Sequence, residues 1–348
     1  MSEPTGTPVT NLLPTALPQV SLFALGGTIA SVPQTSPDEG SAAVGVRPAV
    51  SGRELVDAVP LIAQVARVET TQVLQVPSVE ITPGDLLALV ELMRDAVDSG
   101  ADGIVVTQGT DTLEESAFMV DLLWDRPQPV IFTAAMRTPS SPGADGPANL
   151  LAAVQLAVTP EARDLGVLVC LGDAVHAARH VRKAHSSNPA AFESPGLGPI
   201  GWVTEGRPRI ALRPVRGGAP LRVIAGTDLP NVALVRIGLG DDGQLLQAVG
   251  SLDVQGLVVE GVGGGHVPRA LAPVLSRLVE QMPVLLASRT GAGEVLTQTY
   301  GYPGGEIDLR ARGLLGTGAY DGTKARLLLV LALAAGLDRP ALDRLLTL

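Results

Sequence analysis

Two Gly-Thr pairs are the segments of this chain best suited to chemistry. Gly27-Thr28 ends one short apolar run, and Gly109-Thr110, followed directly by Asp111, ends another that is rich in β-branched residues. An apolar run that stops at glycine is typical of a buried strand entering a tight turn. A threonine hydroxyl held in such a turn can act as a nucleophile if a neighbouring group takes its proton. The two pairs therefore predict hydroxyl chemistry at the ends of two strands.

A capping role is the structural alternative for both pairs. Thr28 could cap the segment that follows it. Thr110 or Thr112, with Glu114 and Glu115, could begin a helix, whose dipole favours acidic residues in the first turn. Capping does not explain why a second Gly-Thr pair stands at a strand end. Since neighbouring parallel strands end at the same edge of a sheet, the two turns can instead face one crevice.

Lysine is scarce in this chain, which has only Lys183 and Lys324 among its 25 basic residues. Arginine is effectively never deprotonated, whereas burial favours the neutral form of an amine. Lys183 is therefore a candidate for accepting a proton, and the alternative is a solvated charge on a loop. We expect Lys324 to have a structural role at the start of the last helix.

Composition and charge exclude several classes of protein. A net charge of −10 and a pI near 4.9 argue against a surface for nucleic acid or anionic membrane. Cys170 is the single cysteine and lies in an apolar run, so no disulfide framework is expected. Residues 1–19 lack the pattern of a secretory signal, and no apolar run is long enough to span a bilayer. These features predict a cytoplasmic protein with no membrane or nucleic-acid partner.

Three histidines raise the alternative of a metal site. His176 and His180 are four residues apart, which would place them on one face if this segment were helical. No neighbouring carboxylate or cysteine completes a zinc-binding set with them or with His185. We therefore expect neither a metal nor another cofactor.

Strand-like runs alternate with helical patterns along most of the chain. The predicted strands are 21–25, 72–76, 104–107, 130–134, 166–171, 232–237, 256–260 and 284–287. The predicted helices are 54–59, 83–99, 113–124, 148–158, 268–281 and 323–337. Such alternation predicts an α/β fold with a mostly parallel sheet flanked by helices. The expected units are an irregular N-terminus (1–19), a larger catalytic α/β domain (20–205), a linker (206–222) and a smaller C-terminal α/β domain (223–348). Within the larger domain, residues 32–52 are expected to form a mobile loop.

Taken together, the motifs resemble the bacterial-type L-asparaginases of the asparaginase/glutaminase family. Residues 25–30 (Leu-Gly-Gly-Thr-Ile-Ala) are similar to that family's first signature, and 108–115 (Gln-Gly-Thr-Asp-Thr-Leu-Glu-Glu) to its second. Lys183 stands where the family's lysine is expected. Further similar positions are 134–137, 144–150, 288–293, Glu306 and 324–326. The resemblance covers residues 20–338.

The resemblance implies an amidohydrolase that converts L-asparagine to L-aspartate and ammonia, with a side activity on L-glutamine. Thr28 would attack the amide carbon and form a β-acyl-enzyme. Thr110, Asp111 and Lys183 would be its partner set, in which a neutral lysine takes up a proton directly or through Thr110.

The same resemblance implies the substrate-binding residues. Ser78 would bind the carboxylate of the substrate, and Asp111 its α-ammonium group; the alternative for Ser78 is to cap a turn. Backbone N–H groups near Gly27 and Ala135 would stabilise the oxyanion. The other binding positions carried over are Val79, Gly109 and Glu306.

Three features depart from the family's pattern. Residues 31–53 contain no tyrosine, although the family has a lid tyrosine that contacts the nucleophile, so Tyr302 or Tyr300 is the candidate activator. Val79 replaces a polar residue that helps to bind the α-amino group. His266, in Gly-Gly-His, stands where the family often has Asn-Gly-Asn reaching into a neighbouring subunit's site.

The resemblance also implies a homo-oligomer, a dimer or a dimer of dimers, with sites shared between copies. Two other functions stay open. One is the amide-hydrolysing subunit of an amidotransferase, which usually has an additional N-terminal module. The other is a non-catalytic amino-acid-binding protein on the same scaffold, in which the chemistry of Thr28 or Lys183 is dispensable.

Overall fold

The computed structural model describes residues 16–35 and 43–346 of the chain. In chain order the strands are β1 (Gln19–Gly26), β2 (Ser31–Thr35), β3 (Ala43–Pro48), β4 (Arg67–Val76), β5 (Gly103–Thr107), β6 (Val130–Thr133), β7 (Val167–Leu171), β8 (Ala174–Ala177), β9 (Arg182–Lys183), β10 (Phe192–Glu193), β11 (Gly201–Thr204), β12 (Arg207–Ile210), β13 (Val232–Arg236), β14 (Gly256–Gly261), β15 (Val284–Ser288) and β16 (Leu315–Gly316). The helices are α1 (Gly52–Asp57), α2 (Pro83–Asp98), α3 (Leu113–Leu123), α4 (Gly146–Ala157), α5 (Gln244–Val249), α6 (Ala272–Val279), α7 (Glu306–Ala311), α8 (Gly322–Ala334) and α9 (Arg339–Leu346). None of the helices in the described ranges is long and apolar enough to cross a membrane.

The larger of two α/β units is built on a sheet that, within the described residues, has eight strands in the order β12-β11-β8-β7-β6-β5-β1-β4. The strands from β4 to β7 run parallel, and β8, β11 and β12 continue the sheet in antiparallel pairing. Strands β5, β6 and β7 are buried along their whole length. Full burial is typical of a parallel sheet covered by helices on both faces. The predicted fold class is confirmed.

The order of the parallel strands reverses next to β1. Strand β4 lies on one side of β1, whereas β5, β6 and β7 follow one another on the other side. In open α/β sheets a crevice forms at the carboxyl edge of such a switch point. Since β1 ends at Gly26 and β5 at Thr107, both Gly-Thr pairs leave the sheet at this point.

The smaller unit is a parallel sheet in the order β13-β14-β15-β16, flanked by helices. Its helix α8 packs against α3 of the larger unit, and residues of both helices share one apolar core. The ring of Tyr320 lies 5.2 Å from that of Phe118, and Arg179 donates a hydrogen bond to the Tyr320 hydroxyl at 3.3 Å. The two units are therefore joined by packing as well as by the chain.

Two elements differ from the expectations drawn from sequence. Residues 31–35 and 43–48 pair as an antiparallel hairpin, although a mobile loop was the expectation for 32–52; residues 36–42 of that loop lie outside the described residues. Proline and glycine within the hairpin hide its period-two pattern in the sequence. Helix α6 begins at Ala272, because residues 268–271 first form a turn in which Leu271 donates to the Pro268 carbonyl.

The limits of the larger unit also shift. Gln19 belongs to β1 and donates its N–H to the Asp102 carboxylate at 2.8 Å, whereas residues 1–15 of the predicted irregular N-terminus lie outside the described residues. Strand β12 pairs with β11, so the predicted linker 206–222 includes a strand of the larger sheet. The irregular connection between the units runs over residues 211–231.

Candidate active site

Four adjacent strands bring predicted site residues to one edge of the larger sheet. Ser78 follows β4, Thr28 follows β1, Thr110 follows β5 and Ala135 follows β6. These four strands are neighbours in this order and run parallel. Because parallel strands end at the same edge, residues far apart in sequence meet there.

Glycine allows the turns after β1 and β5 to touch. Gly27 has a φ of 83°, and a Cβ at this position would lie 2.1 Å from the backbone nitrogen of Gly109. A Cβ at Gly109 would in turn lie 2.9 Å from Oγ of Ser78. Only a residue without a side chain permits so close an approach. The turns that carry Thr28, Thr110 and Ser78 are therefore packed directly against one another.

Hydrogen bonds to one carbonyl fix the turn that carries Thr28. The carbonyl oxygen of Gly27 accepts from the N–H of Ala30 at 3.1 Å and from the hydroxyl of Ser31 at 2.8 Å. Gly27, not Thr28, holds the position that caps this short helical turn. The capping alternative for Thr28 is therefore wrong, and Thr28 itself is half-buried.

Lys183 joins the second Gly-Thr pair. Its Nζ donates to Oγ1 of Thr110 at 2.9 Å and to Oδ1 of Asp111 at 2.5 Å. The Lys183 side chain is 12% exposed, so it is not the solvated loop charge of the alternative interpretation. The arrangement connects an amine, a hydroxyl and a carboxylate in one chain of contacts, as proton transfer requires.

Thr112 ties the Ser78 turn to the same site. It holds the cap position of α3, but its side chain makes no capping hydrogen bond, so the capping alternative is wrong for the Thr112 side chain. Its Oγ1 instead donates to the carbonyl oxygen of Ser78 at 2.8 Å. Ser78 is 3% exposed, whereas Val79 beside it is 64% exposed. The hydrogen bond from Thr112 therefore holds the buried Ser78 turn in place, whereas the Val79 side chain is exposed to solvent.

Asp145 and Asn149 fix the loop after β6, a role that the sequence analysis missed. The Asp145 carboxylate accepts from the backbone N–H groups of residues 136 and 137, both at 2.9 Å. Asn149 donates to the carbonyl oxygen of Ala134 at 3.0 Å. Together they hold Ala135 in place from both sides. The available signal was an Asp directly before Gly-Pro, which is typical of a helix start.

Glu114 lies behind Lys183. Its Oε2 accepts a hydrogen bond from the backbone N–H of Lys183 at 2.7 Å. Burial raises the pKa of the Glu114 carboxyl, and the positive charge of Lys324 acts in the opposite direction. The sequence placed Glu114 at the start of a helix and in the second signature, but did not predict its bond to Lys183.

Glu306, Tyr300 and Tyr302 form a separate group in the smaller unit. The fully buried Glu306 accepts from the backbone N–H groups of Thr299 and Tyr300, both at 2.7 Å, and lies 3.0 Å from Nε2 of His266. The hydroxyl of Tyr302 lies 3.0 Å from Nδ1 of the same ring. Although burial acts in the opposite direction, these hydrogen bonds hold the pKa of Glu306 below its usual value. A Tyr-His-Glu chain of contacts results.

The predicted site residues thus fall into two groups. Those of the larger unit are assembled around the contact between Gly27 and Gly109. The second group lies in the smaller unit. There the rings of Tyr300 and Tyr302 contact His266 and each other, and the backbone N–H of Tyr300 donates to Glu306.

Comparison with known families agrees with this architecture. A family model described as "Asparaginase, N-terminal" matches residues 19–216, and one described as "Glutaminase/Asparaginase C-terminal domain" matches residues 231–346. The chain belongs to the asparaginase family. The resemblance predicted from the Gly-Thr motifs is confirmed.

Other members of the asparaginase family match this chain over almost its whole length. The L-asparaginase of Bacillus licheniformis is 34% identical, over 91% of this chain and 96% of its own. The glutaminase-asparaginase of Acinetobacter glutaminasificans is 32% identical, over 90% and 94%. A solved structure, the probable cytoplasmic L-asparaginase of Campylobacter jejuni, matches with a TM-score of 0.85 and 30% identity, over 95% of this chain and 99% of that one.

The histidines of this asparaginase-family chain do not form the arrangement that a metal site would need. His176 lies on β8, which pairs with β7, so the helix that the metal-site alternative requires for His176 and His180 is absent. Its Nδ1 lies 2.9 Å from the Ser194 hydroxyl, and burial lowers its pKa to about 4. Over 16–35 and 43–346, no group of three or more His, Cys, Asp and Glu side chains could hold a metal ion.

Proposed function

We propose that this member of the asparaginase family hydrolyses L-asparagine to L-aspartate and ammonia through a covalent intermediate on Thr28. The observation that carries the proposal is the contact between the two Gly-Thr turns at Gly27 and Gly109, with Lys183 bonded to Thr110 of the second turn. This contact supports a nucleophile on one strand end and a proton-transfer group on the next. L-Glutamine is a proposed secondary substrate, since one similar protein is named a glutaminase-asparaginase.

Thr28 is the proposed nucleophile. Its hydroxyl oxygen bonds to the side-chain amide carbon of the substrate, while the hydroxyl proton leaves to the relay and the carbonyl becomes an oxyanion. Collapse of this intermediate breaks the C–N bond, and the nitrogen leaves as ammonia after taking a proton. The resulting β-aspartyl ester on Thr28 is then hydrolysed by water, which releases L-aspartate and restores the hydroxyl.

Thr110, Lys183 and Asp111 form the proposed relay. The contacts of Lys183 Nζ, 2.9 Å to Thr110 and 2.5 Å to Asp111, support transfer of a proton between the amine and the reacting centre through the Thr110 hydroxyl. The carboxylate of Asp111 balances the charge that Lys183 carries while it holds the proton. No cofactor takes part in this scheme.

Substrate recognition is assigned to the edges of the same crevice. Ser78 is proposed to bind the α-carboxylate, and its position is supported by the hydrogen bond from Thr112 to its carbonyl oxygen. Asp111 is 66% exposed on its side chain and can also receive the α-ammonium group. Backbone N–H groups near Gly27 and Ala135 are the proposed oxyanion donors.

Tyr302, or Tyr300 beside it, is the proposed activator of Thr28. The chain Tyr302–His266–Glu306 supports this choice, because an ionised Glu306 accepts from Nε2–H and leaves Nδ1 to accept the phenol proton. We propose that the group acts on Thr28 of a second copy in a homo-oligomer.

The predicted cytoplasmic location stays a prediction.

Ammonia release from purified protein tests the proposal. The protein is given L-asparagine, L-glutamine and D-asparagine, alongside the variants Thr28→Ala and Lys183→Met. We expect ammonia from L-asparagine and a loss of at least about 1000-fold in Thr28→Ala. Binding of L-asparagine with no ammonia would favour an amino-acid-binding protein, and full activity in Thr28→Ala would exclude the nucleophile. Ammonia release that depends on an added acceptor protein would favour the amidotransferase subunit.

A further inference from the structure

Both lysines of this chain meet at one short segment. Lys183 lies on β9 and points its Nζ at Thr110 and Asp111. Lys324 lies on α8 of the smaller unit, is 3% exposed, and donates from its Nζ to the carbonyl oxygen of Val181 at 2.5 Å. Val181 precedes Lys183 by two residues. The backbone that carries the proposed relay lysine is therefore held by a buried cation from the other unit.

Glu114 holds the same segment at a second point. Its carboxylate accepts from the Lys183 N–H, and it lies in the first turn of α3, three residues after Asp111. Lys183 is thus bound twice by residues 110–114, through its side chain and through its backbone. Lys324 is close enough to Glu114 for its charge to favour the ionised carboxylate.

We propose that Glu114 and Lys324, which carry opposite charges and lie on opposite sides of the contact between the two units, are positioning residues for the Lys183 amine. Glu114 holds the backbone N–H of Lys183 close to the Thr110 turn, and Lys324 holds the carbonyl oxygen of Val181. A loss of either contact lets the two-residue strand β9 shift. The activity measurements below rest on the proposed amidohydrolase function.

A substitution series separates positioning from general stability. Glu114→Gln keeps the shape and an acceptor oxygen but loses the charge, and Lys324→Met keeps the length but loses the donor. Glu115→Gln is the matched control, since it lies in the same helical turn with the same charge while the bond to Lys183 comes from Glu114. The melting temperature of each variant is measured first, and comparisons are made below the lowest one.

The expected result is a fall in kcat of about tenfold for Glu114→Gln with KM changed less than about twofold. Lys324→Met falls by a similar factor, and Glu115→Gln stays within about twofold of the wild type. An equal loss in Glu115→Gln, or a kcat within about twofold in Glu114→Gln, would overturn the proposal.

Hydrogen exchange of the peptide containing residues 181–183 gives a readout without substrate. We expect faster exchange of the Lys183 amide in Glu114→Gln, by about tenfold, and no change in Glu115→Gln. Unchanged exchange in Glu114→Gln contradicts the positioning role whatever the activity is. A wild-type protein that releases no ammonia but shows the faster exchange would defeat the proposed function and leave the positioning role supported.

The pH profile gives a second readout that a loss of stability would not move. The charged groups around Glu114 are Lys324, Asp321, Arg182 and Glu115. A protonated Glu114 is a weaker acceptor for the Lys183 N–H, so kcat falls on the acidic side as the carboxyl takes up its proton. We expect this acidic limb to move to lower pH in Glu114→Gln. The same limb at the same pH in both proteins would contradict the proposal.

Discussion

A Cβ placed on Gly27 would lie 2.1 Å from the backbone nitrogen of Gly109. Non-bonded carbon and nitrogen atoms do not approach so closely, so the turns after β1 and β5 can meet only as backbone on backbone. This contact brings Thr28 next to the turn of Thr110. The amine of Lys183 in turn donates a hydrogen bond to the Thr110 hydroxyl.

Substitution of Gly27 should abolish activity by separating the two turns. Gly27→Ala must move the Gly109 backbone and adopts a φ of 83°, which an alanine rarely takes. A displacement of about 1 Å costs about 100-fold in rate, so we expect at least that loss in kcat. Gly238→Ala is the control, since a Cβ there meets nothing within 4 Å. Ammonia release close to that of the wild type in Gly27→Ala would contradict the tight contact.

Replacement of Lys183 by arginine should separate proton transfer from charge. Lys183→Arg keeps the positive charge beside Asp111 but cannot give up its proton. We expect kcat to fall about 100-fold, nearly as far as in Lys183→Met. Initial rates of ammonia release at saturating L-asparagine measure the effect. If the arginine variant keeps most of the activity, the role of Lys183 is electrostatic.

Ser78 should affect substrate binding more than the chemical step. Ser78→Ala removes a hydroxyl that the proposal assigns to the substrate carboxylate, and we expect KM to rise at least about tenfold with a small change in kcat. Thr112→Val removes the hydrogen bond to the Ser78 carbonyl and should raise KM by a smaller factor. Isothermal calorimetry with L-aspartate gives an independent affinity. A fall in kcat at constant KM would place Ser78 in the chemistry instead.

Tyr302 should prove necessary if it is the activator. Tyr302→Phe keeps the ring beside His266 but loses the hydroxyl, and we expect kcat to fall about 100-fold. Tyr320→Phe is the matched control. The Tyr320 hydroxyl accepts a hydrogen bond from Arg179 across the two units, so its removal should lower stability and leave kcat unchanged. Tyr300→Phe decides between the two candidates. Retained activity in both Tyr300→Phe and Tyr302→Phe would remove the phenol from the mechanism.

His176 should make the fold sensitive to acid. Its pKa is about 4 in the folded protein and about 6.5 when unfolded, so the unfolded chain takes up a proton first as the pH falls. The free energy of unfolding therefore decreases between about pH 6.5 and 4, by up to about 3 kcal/mol from this residue. Urea unfolding at both ends of this range measures the effect. His176→Gln should lose less stability over the same range, and an equal loss would rule out His176 as the source.

Much of the site was predictable because it depends on local pattern. The runs before Gly27 and Gly109 predicted strands, and the helical pattern over 83–99 predicted α2, which spans Pro83–Asp98. The scarcity of lysine singled out Lys183 before any geometry was known. These signals are local, since a strand end or a helix cap is determined by a few neighbouring residues.

Other features could not be predicted because they depend on contacts between distant residues. The four-residue spacing of His176 and His180 left a helix open for this segment, whereas pairing with β7 makes the segment of His176 a strand. Thr112 resembles a helix cap in sequence, but the Ser78 carbonyl becomes its partner once β4 and β5 flank β1.

The sequence by itself determined the α/β pattern, the two Gly-Thr turns and the lysine that is proposed for proton transfer. Only the tertiary structure decided which groups lie together. These are the contact of Gly27 with Gly109, the hydrogen bond of Glu114 to the Lys183 backbone, and the separate group of Tyr302, His266 and Glu306. The physical reason is that propensity and periodicity act over a few residues. Close contact between strand ends arises from the order of strands in the sheet, which packing of the whole chain sets.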